Sequence, residues 1–510
     1  MGGKIVKIAK GNYTEKARNI NYYSGGDINT IAGKRINEKA GEGIFFGDAE
    51  EAPQSNLSRT LPITIECYIE FRPKPDWRGE FGFDWFRNGD YKNSAGLFNN
   101  LDYKDIISKQ YTDSRHRTLE TDPNKFKGYF KKNIALYNSL KNKFKPTKIK
   151  WKHKKDSSGN TLNDASGNPV MDEFLASYLT IFKKETDPDV SVTIQAYIHV
   201  KTEPEELKIK LEESQKEFFS VTPVDLTKTV TNSTPTKQDI TITCKKTCST
   251  DQVINIVAVS KGVSPHFCGD PEHEAENQIT KEEIVGKLIV KANDKPHRKT
   301  KKIVFVEMKT NITSSGPNKG NANISTDIKK YLRQALIDVD KNSATETLDL
   351  ISSSFFNSRF VKNGEIEGKG SLMGSLEYLF KDMLKKRTPS EEHKYDDFFK
   401  VFIFDEKGYH PDPNTSKAGF AFPGENYTIL FRDANAQTGA HEILHALNLA
   451  HTFTNSEADS NAKWTFTYKS INNILSYSHH KAITNSAYKT ARFSLQHWQW
   501  AIANAAADPE

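Results

Sequence analysis

His441, His445 and His451 constrain the fold of this chain more than any other feature of its sequence. They lie in the run His441-Glu442-Ile443-Leu444-His445-Ala446-Leu447-Asn448-Leu449-Ala450-His451. Ala436, Ala440, Ile443, Leu444 and Leu447 recur at helical spacing, which predicts a helix with one apolar face. Asp433, Asn435 and Thr438 are candidates to cap its start. Residues four apart on a helix stand one turn above each other, so the imidazoles of His441 and His445 are expected side by side. Two such nitrogens can share one Zn2+ at roughly 2.0–2.1 Å each. His451 lies too far along a continuous helix to reach the same ion, so the chain must turn sharply between them. The residue at the bend needs a positive φ, which Gly adopts best and Asn next. Asn448 sits at that point. Glu442 projects about 100° around the helix from His441. From there it can reach a water on the ion without itself being a ligand, the division of labour of hydrolytic zinc sites.

At 510 residues the chain exceeds one core, and roughly 100–200 residues per domain predicts three or four domains. Four cysteines exclude a disulfide scaffold. No apolar run approaches the roughly 18 residues of a spanning helix, so no membrane span is expected. The first residues carry no apolar h-region, so a general secretory signal is not expected. The net charge of +7 is a thin excess of 72 basic over 65 acidic residues, which argues against a nucleic-acid partner.

Two changes of period divide the chain into three stretches. Ile20, Ile28, Ile36 and Ile44 recur every eight residues between glycines, which predicts a stacking β-repeat over 1–52. From about 57 to 300 the period is two, as in Ile63, Ile65, Cys67, Ile69, Phe71 and in Val192, Ile194, Ala196, Ile198, Val200. Such alternation predicts half-buried antiparallel strands. Proline-rich breaks suggest two β-sandwich-like modules, 57–202 and 203–300. Over 301–510, strands at 302–307, 401–404 and 427–431 alternate with helices through 328–339 and 372–384, which predicts an α/β domain. The strand 427–431 is expected to be an edge that pairs with an extended substrate. Gly79-Glu80-Phe81-Gly82-Phe83-Asp84-Trp85-Phe86-Arg87 is read as structural packing. Cys244, Cys248, His266 and Cys268 have poor spacing for a metal knuckle, and His479, His480 and Asp459 are read as loop residues.

The 441–451 run resembles the extended HExxHxxGxxH motif of the metzincin metallopeptidases, with Asn448 in place of Gly. Asn473-Ile474-Leu475-Ser476-Tyr477-Ser478 resembles the family's Met-containing turn, with Leu475 at the Met position. The resemblance implies a C-terminal zincin domain over 301–510 and a zinc-dependent endopeptidase. His441, His445 and His451 would be the Zn2+ ligands, Glu442 the general base, and Tyr477 a donor to an oxyanion. The N-terminal octads resemble β-spikes of contractile injection machines and of Bacteroidetes type VI secretion cargo. That second resemblance implies an effector or toxin that acts on a protein or peptide, rides on spike or tube components, and is cytoplasmic before delivery. It would leave the cell without a classical signal peptide. It also allows a homotrimer through the repeat and an immunity protein. The competing readings are a structural spike or adaptor with an inactive zincin domain, and a cytosolic maturation protease.

Overall fold

The computed structural model describes residues 65–89, 102–109, 132–156, 158–232, 234–263, 278–313, 316–368, 370–410, 417–422, 424–454, 459–466, 471–476 and 492–509. Nearly all of these belong to one compact unit, 64–260 with 280–510. The octad repeat at 1–52 lies outside the described residues.

Among the described residues nine strands build a two-sheet sandwich: β1 (Cys67–Pro73), β2 (Gly82–Asp84), β3 (Ser177–Thr180), β4 (Val190–Val200), β5 (Glu206–Lys210), β6 (Phe219–Thr222), β7 (Thr236–Cys244), β8 (Gln252–Val263) and β9 (Gln278–Val290). One sheet runs β1-β4-β7-β6 and the other β2-β3-β9-β8-β5. The period of two turns alternate side chains inward. Phe71, Ile194 and Ile242 of the first sheet thereby share a small apolar space with Ile209, Ile256 and Leu288 of the second. Pairing is mostly antiparallel as expected, but β9 runs parallel to β3. The expected division at 202/203 does not separate two modules. β4, which precedes it, lies between β1 and β7, with Ile194 opposite Ile240. Local alternation marks strands but carries no information about which strand pairs with which, so prolines in the connections read falsely as a boundary.

Beyond 300 the sheet is mixed. β10 (Ile303–Thr310) pairs antiparallel with the short β11 (Asn318–Lys319) and in parallel with β12 (Ala344–Asp349) and β13 (Phe399–Ile403). β13 runs parallel to β15 (Tyr427–Leu430), which pairs antiparallel with β14 (Gly419–Ala421). The end of the sheet is therefore β14, and the strand expected as an edge, β15, is an inner one. Three residues are too few for alternation to reveal β14 in the sequence.

Alternate residues of the parallel strands reach two cores. Val304, Val306, Phe402 and Ile429 pack with Leu372, Leu376 and Phe380 of α2 (Gly370–Arg387). Ile303, Phe305, Val401 and Leu430 join a core with Ile328 and Leu332 of α1 (Ser325–Arg333) and Ile443 and Leu444 of α3 (Ala436–Ala446). That second core is continuous with the interior of the sandwich and with α4 (His497–Ala506). The boundary expected at 300/301 therefore divides the sequence but not the core. The helix expected through 328–339 stops at Arg333: Leu336 takes φ 58° and Ile337–Val339 becomes a strand. The apolar spacing continues past the helix end because Ala335, Leu336 and Ile337 are buried in the strand connection as well. Among the described residues no helix is long and apolar enough to cross a membrane.

Candidate metal centre

α3 begins where the sequence allows a cap: Asn435 is extended, and its side chain accepts from the Thr438 backbone N–H at 2.9 Å. The helix buries Ala440, Ile443 and Leu444 and carries His441, Glu442 and His445 into the interior. It ends at a turn in which the Asn448 N–H donates to the His445 carbonyl at 2.9 Å and the Leu449 N–H donates to the Leu444 carbonyl at 3.0 Å. Those two bonds, with a left-handed residue between them, make a Schellman ending. Asn448 supplies that residue at φ 65°, as the sequence predicts. The turn sends the chain back so that His451 meets the two helical histidines.

The three rings converge through their Nε2 atoms. His445 Nε2 lies 3.0 Å from His441 Nε2 and 3.0 Å from His451 Nε2. All three ligand atoms fall within 4.8 Å of one another. The outer nitrogens fix the tautomers of two rings. His441 Nδ1 sits 2.7 Å from the Ile474 carbonyl oxygen, and His445 Nδ1 sits 2.6 Å from the Leu449 carbonyl oxygen. A carbonyl only accepts, so each Nδ1 carries the proton and each Nε2 of a neutral ring presents a bare lone pair. Burial holds His445 in its neutral form, with its pKa pushed down to about 4. Burial first, and then the neighbouring His445, His441 and Arg492, push His451 well below the ordinary imidazole range.

The lone pairs of His441 and His445, which face each other at 3.0 Å without a proton between them, repel. A cation at their focus turns that repulsion into bonding, and 3.0 Å is near the spacing that two bonds of about 2.0–2.1 Å to one ion would span. The donor set thus fits a metal ion, and carbonyls behind the rings are the usual partners of ligating histidines. Among the described residues these three histidines are the one such convergent group.

The structure brings the turn around Leu475 to the same place. Ile474 supplies the carbonyl for His441, and the Leu475 carbonyl accepts from the Thr452 N–H at 3.3 Å. Leu475 itself is wholly buried. Tyr477, His479 and His480 lie outside the described residues.

Glu442, next to His441 on the helix, is buried at 8% exposure. Its carboxylate lies against Gly419 of β14, where a Cβ would stand 2.6 Å from Oε1. Gly419 has no distinguishing signal in the sequence; only the register of β14 on β15 brings it there. Of the other candidates, Asp459 caps a short turn by accepting from the Asn461 N–H. Cys244 and Cys248 are buried free thiols that share the Asn293 amide, while His266 and Cys268 lie outside the described residues.

No protein-family model matches the chain, and no curated protein matches it.

Proposed function

We propose that this chain is a zinc-dependent endopeptidase whose centre is His441, His445, His451 and Glu442. The observation that carries the reading is the convergence of three imidazole Nε2 atoms, on two buried rings aimed by backbone carbonyls and on the half-buried His451, beside a buried carboxylate. Three imidazole nitrogens and no thiolate suit Zn2+ and are fewer than the four protein ligands of a structural site, the pattern of catalytic zinc. A bound zinc ion supplies Lewis acidity, which polarises a carbonyl oxygen and acidifies water towards neutral pH.

The chain's own residues do the rest. Ile474 and Leu449 keep the protons of His441 and His445 on Nδ1. Glu442 accepts the proton of the attacking water on a carboxylate oxygen and passes it to the leaving amine. Its burial beside β14 excludes bulk water from that transfer. The end strand β14, rather than β15, is the place for an extended peptide to add by backbone pairing.

The octads at 1–52 are assigned to delivery by a contractile machine, on the strength of their eight-residue repeat alone. Removing residues 1–50 should leave peptidase activity intact and abolish export.

The test of the enzyme reading is elemental analysis joined to proteolysis. Purified protein should carry about one zinc per chain. Glu442→Gln should keep the metal and the fold but lose at least about a hundredfold in peptide cleavage. A chain that takes up no zinc, or a Gln variant that cleaves at the wild-type rate, sinks the proposal.

A further inference from the structure

The segment Gly79–Arg87 reads in sequence as packing, yet the structure ties it to the frame of the metal centre. Asp84, at the end of β2, is fully buried. Its Oδ2 accepts from the His497 backbone N–H at 2.9 Å, at the start of α4, and lies 2.8 Å from His497 Nδ1. Its Oδ1 accepts from Arg87 at 2.8 Å. The Arg87 guanidinium lies over Trp85, with Cζ 3.3 Å from the ring centroid, and its other terminal nitrogen donates to Asn472 Oδ1 at 3.4 Å.

Asn472 opens the turn that reaches the histidines. Ser494 donates to both its carbonyl and its side-chain oxygen, at 3.0 and 3.1 Å. The next residue, Asn473, donates to Gln499 of α4 at 2.6 Å and accepts from the Leu475 N–H at 2.9 Å. Between those two anchors stands Ile474, whose carbonyl holds His441 Nδ1. Two routes thus run from one carboxylate in the sandwich to one carbonyl behind a ligand. One passes through Arg87 and Asn472, the other through α4, Gln499 and Asn473.

We propose that Asp84 and Arg87 are positioning residues of the metal centre: together they fix the 472–476 turn and so the orientation and tautomer of His441. The sandwich is then part of the site rather than a carrier for it. Two observations support the assignment. The Asp84–Arg87 ion pair is buried, at 0% and 5% side-chain exposure, where removing one partner leaves the other uncompensated. The guanidinium also spans two directions at once, which a lysine ammonium cannot reproduce in a fixed plane. The inference rests on the histidine cluster being a metal site but not on peptidase activity.

The test uses the full chain with Co2+ or Zn2+ alone. Arg87→Lys keeps the charge and loses the fork, and Asp84→Asn keeps the shape and loses the charge. Ile242→Val, a core change between the two sheets, serves as the control for plain destabilisation. Metal affinity is read by competition with a chromophoric chelator, ligand geometry by the Co2+ visible spectrum, and folding by the melting temperature of the metal-free protein. Both site variants should bind metal about 10–100-fold more weakly, with an altered Co2+ spectrum. Ile242→Val should melt lower yet bind with wild-type affinity when folded. If one site variant does not fold, the other decides. A folded variant with wild-type affinity and spectrum overturns the proposal. Should the wild-type chain bind no metal, the metal-centre reading fails, and the positioning claim is decided by 15N histidine NMR of the metal-free protein. His441 should then be the Nδ1–H tautomer in the wild type and a mixture in Arg87→Lys; one tautomer in both overturns it.

Discussion

Glu442 and Gly419 are in contact across the gap between α3 and β14: a Cβ on residue 419 would stand 2.6 Å from Glu442 Oε1 and 2.7 Å from its Cγ. Real side chains do not approach so closely, so the absence of a side chain at 419 defines where the carboxylate sits. Gly419→Ala should therefore push Glu442 aside while leaving the three histidines untouched. Zinc content should stay at the wild-type level and peptide cleavage should fall by about tenfold or more, within the range that a displaced general base accounts for. Equal activity in wild type and Gly419→Ala would show that the carboxylate adjusts freely.

Asn448 holds φ 65° at the bend between His445 and His451. Asn448→Gly should be tolerated in both zinc affinity and activity, because glycine enters that region without steric cost. Asn448→Val should weaken zinc binding, because a β-branched residue is an outlier there and the turn that delivers His451 must open. Isothermal titration of the two metal-free variants distinguishes them, and equal affinities would place the bend elsewhere.

Because one core joins the sandwich to α1, α3 and α4, metal removal should be felt far from the histidines. Cys67 and Cys244 are buried thiols in β1 and β7 and report on the sandwich. Ligand binding stabilises a folded state by about 2.7 kcal/mol at a hundredfold excess over Kd. Chelation should therefore lower the temperature at which these two thiols become alkylated, followed residue by residue in a mass spectrometer. Unchanged labelling would mean that the sandwich unfolds independently.

His199 gives the pH dependence. It stacks on Tyr68 at 4.2 Å, and burial, with Lys152 and Arg72 adding to it, lowers its pKa from 6.5 to about 3. The folded state therefore holds the ring neutral while the unfolded chain takes a proton below about 6.5. Stability from this group is complete above pH 6.5 and is lost as pH falls towards 3, by up to about 1.4 kcal/mol per pH unit. His199→Phe keeps a stacking ring and cannot charge. Its urea midpoint should fall less than that of the wild type between pH 6.5 and 4. Parallel pH curves for the two proteins would assign acid lability elsewhere.

Local features of the site were readable from the sequence because they depend on local spacing. The apolar stripe of α3, the cap at Asn435 and the left-handed Asn448 each follow from residues within a turn or two of the histidines. The strands β1 and β4 were readable for the same reason, as their alternation is written in consecutive residues. What the sequence hid is long-range pairing. Ile194 meets Ile240 across the expected 202/203 boundary, Gly419 reaches Glu442 only through sheet register, and Asp84 reaches His497 across most of the chain. The helix expected through 328–339 shows the converse error. Buried apolar residues at helical spacing also occur where a helix of nine residues gives way to a strand.

The frame behind His441 follows the three histidines in the chain. Asn473 and Ile474 follow His451, and Gln499, which anchors Asn473, lies further on, in α4. During synthesis the three histidines therefore emerge before the carbonyl that aims one of them is fixed. A ribosome-bound chain that already contains His441, Glu442, His445 and His451 still lacks the anchor of its turn. Translation order thus sets a clock on the cluster: its frame is completed only once Gln499 has been made, and a product truncated before Gln499 carries the three histidines without it.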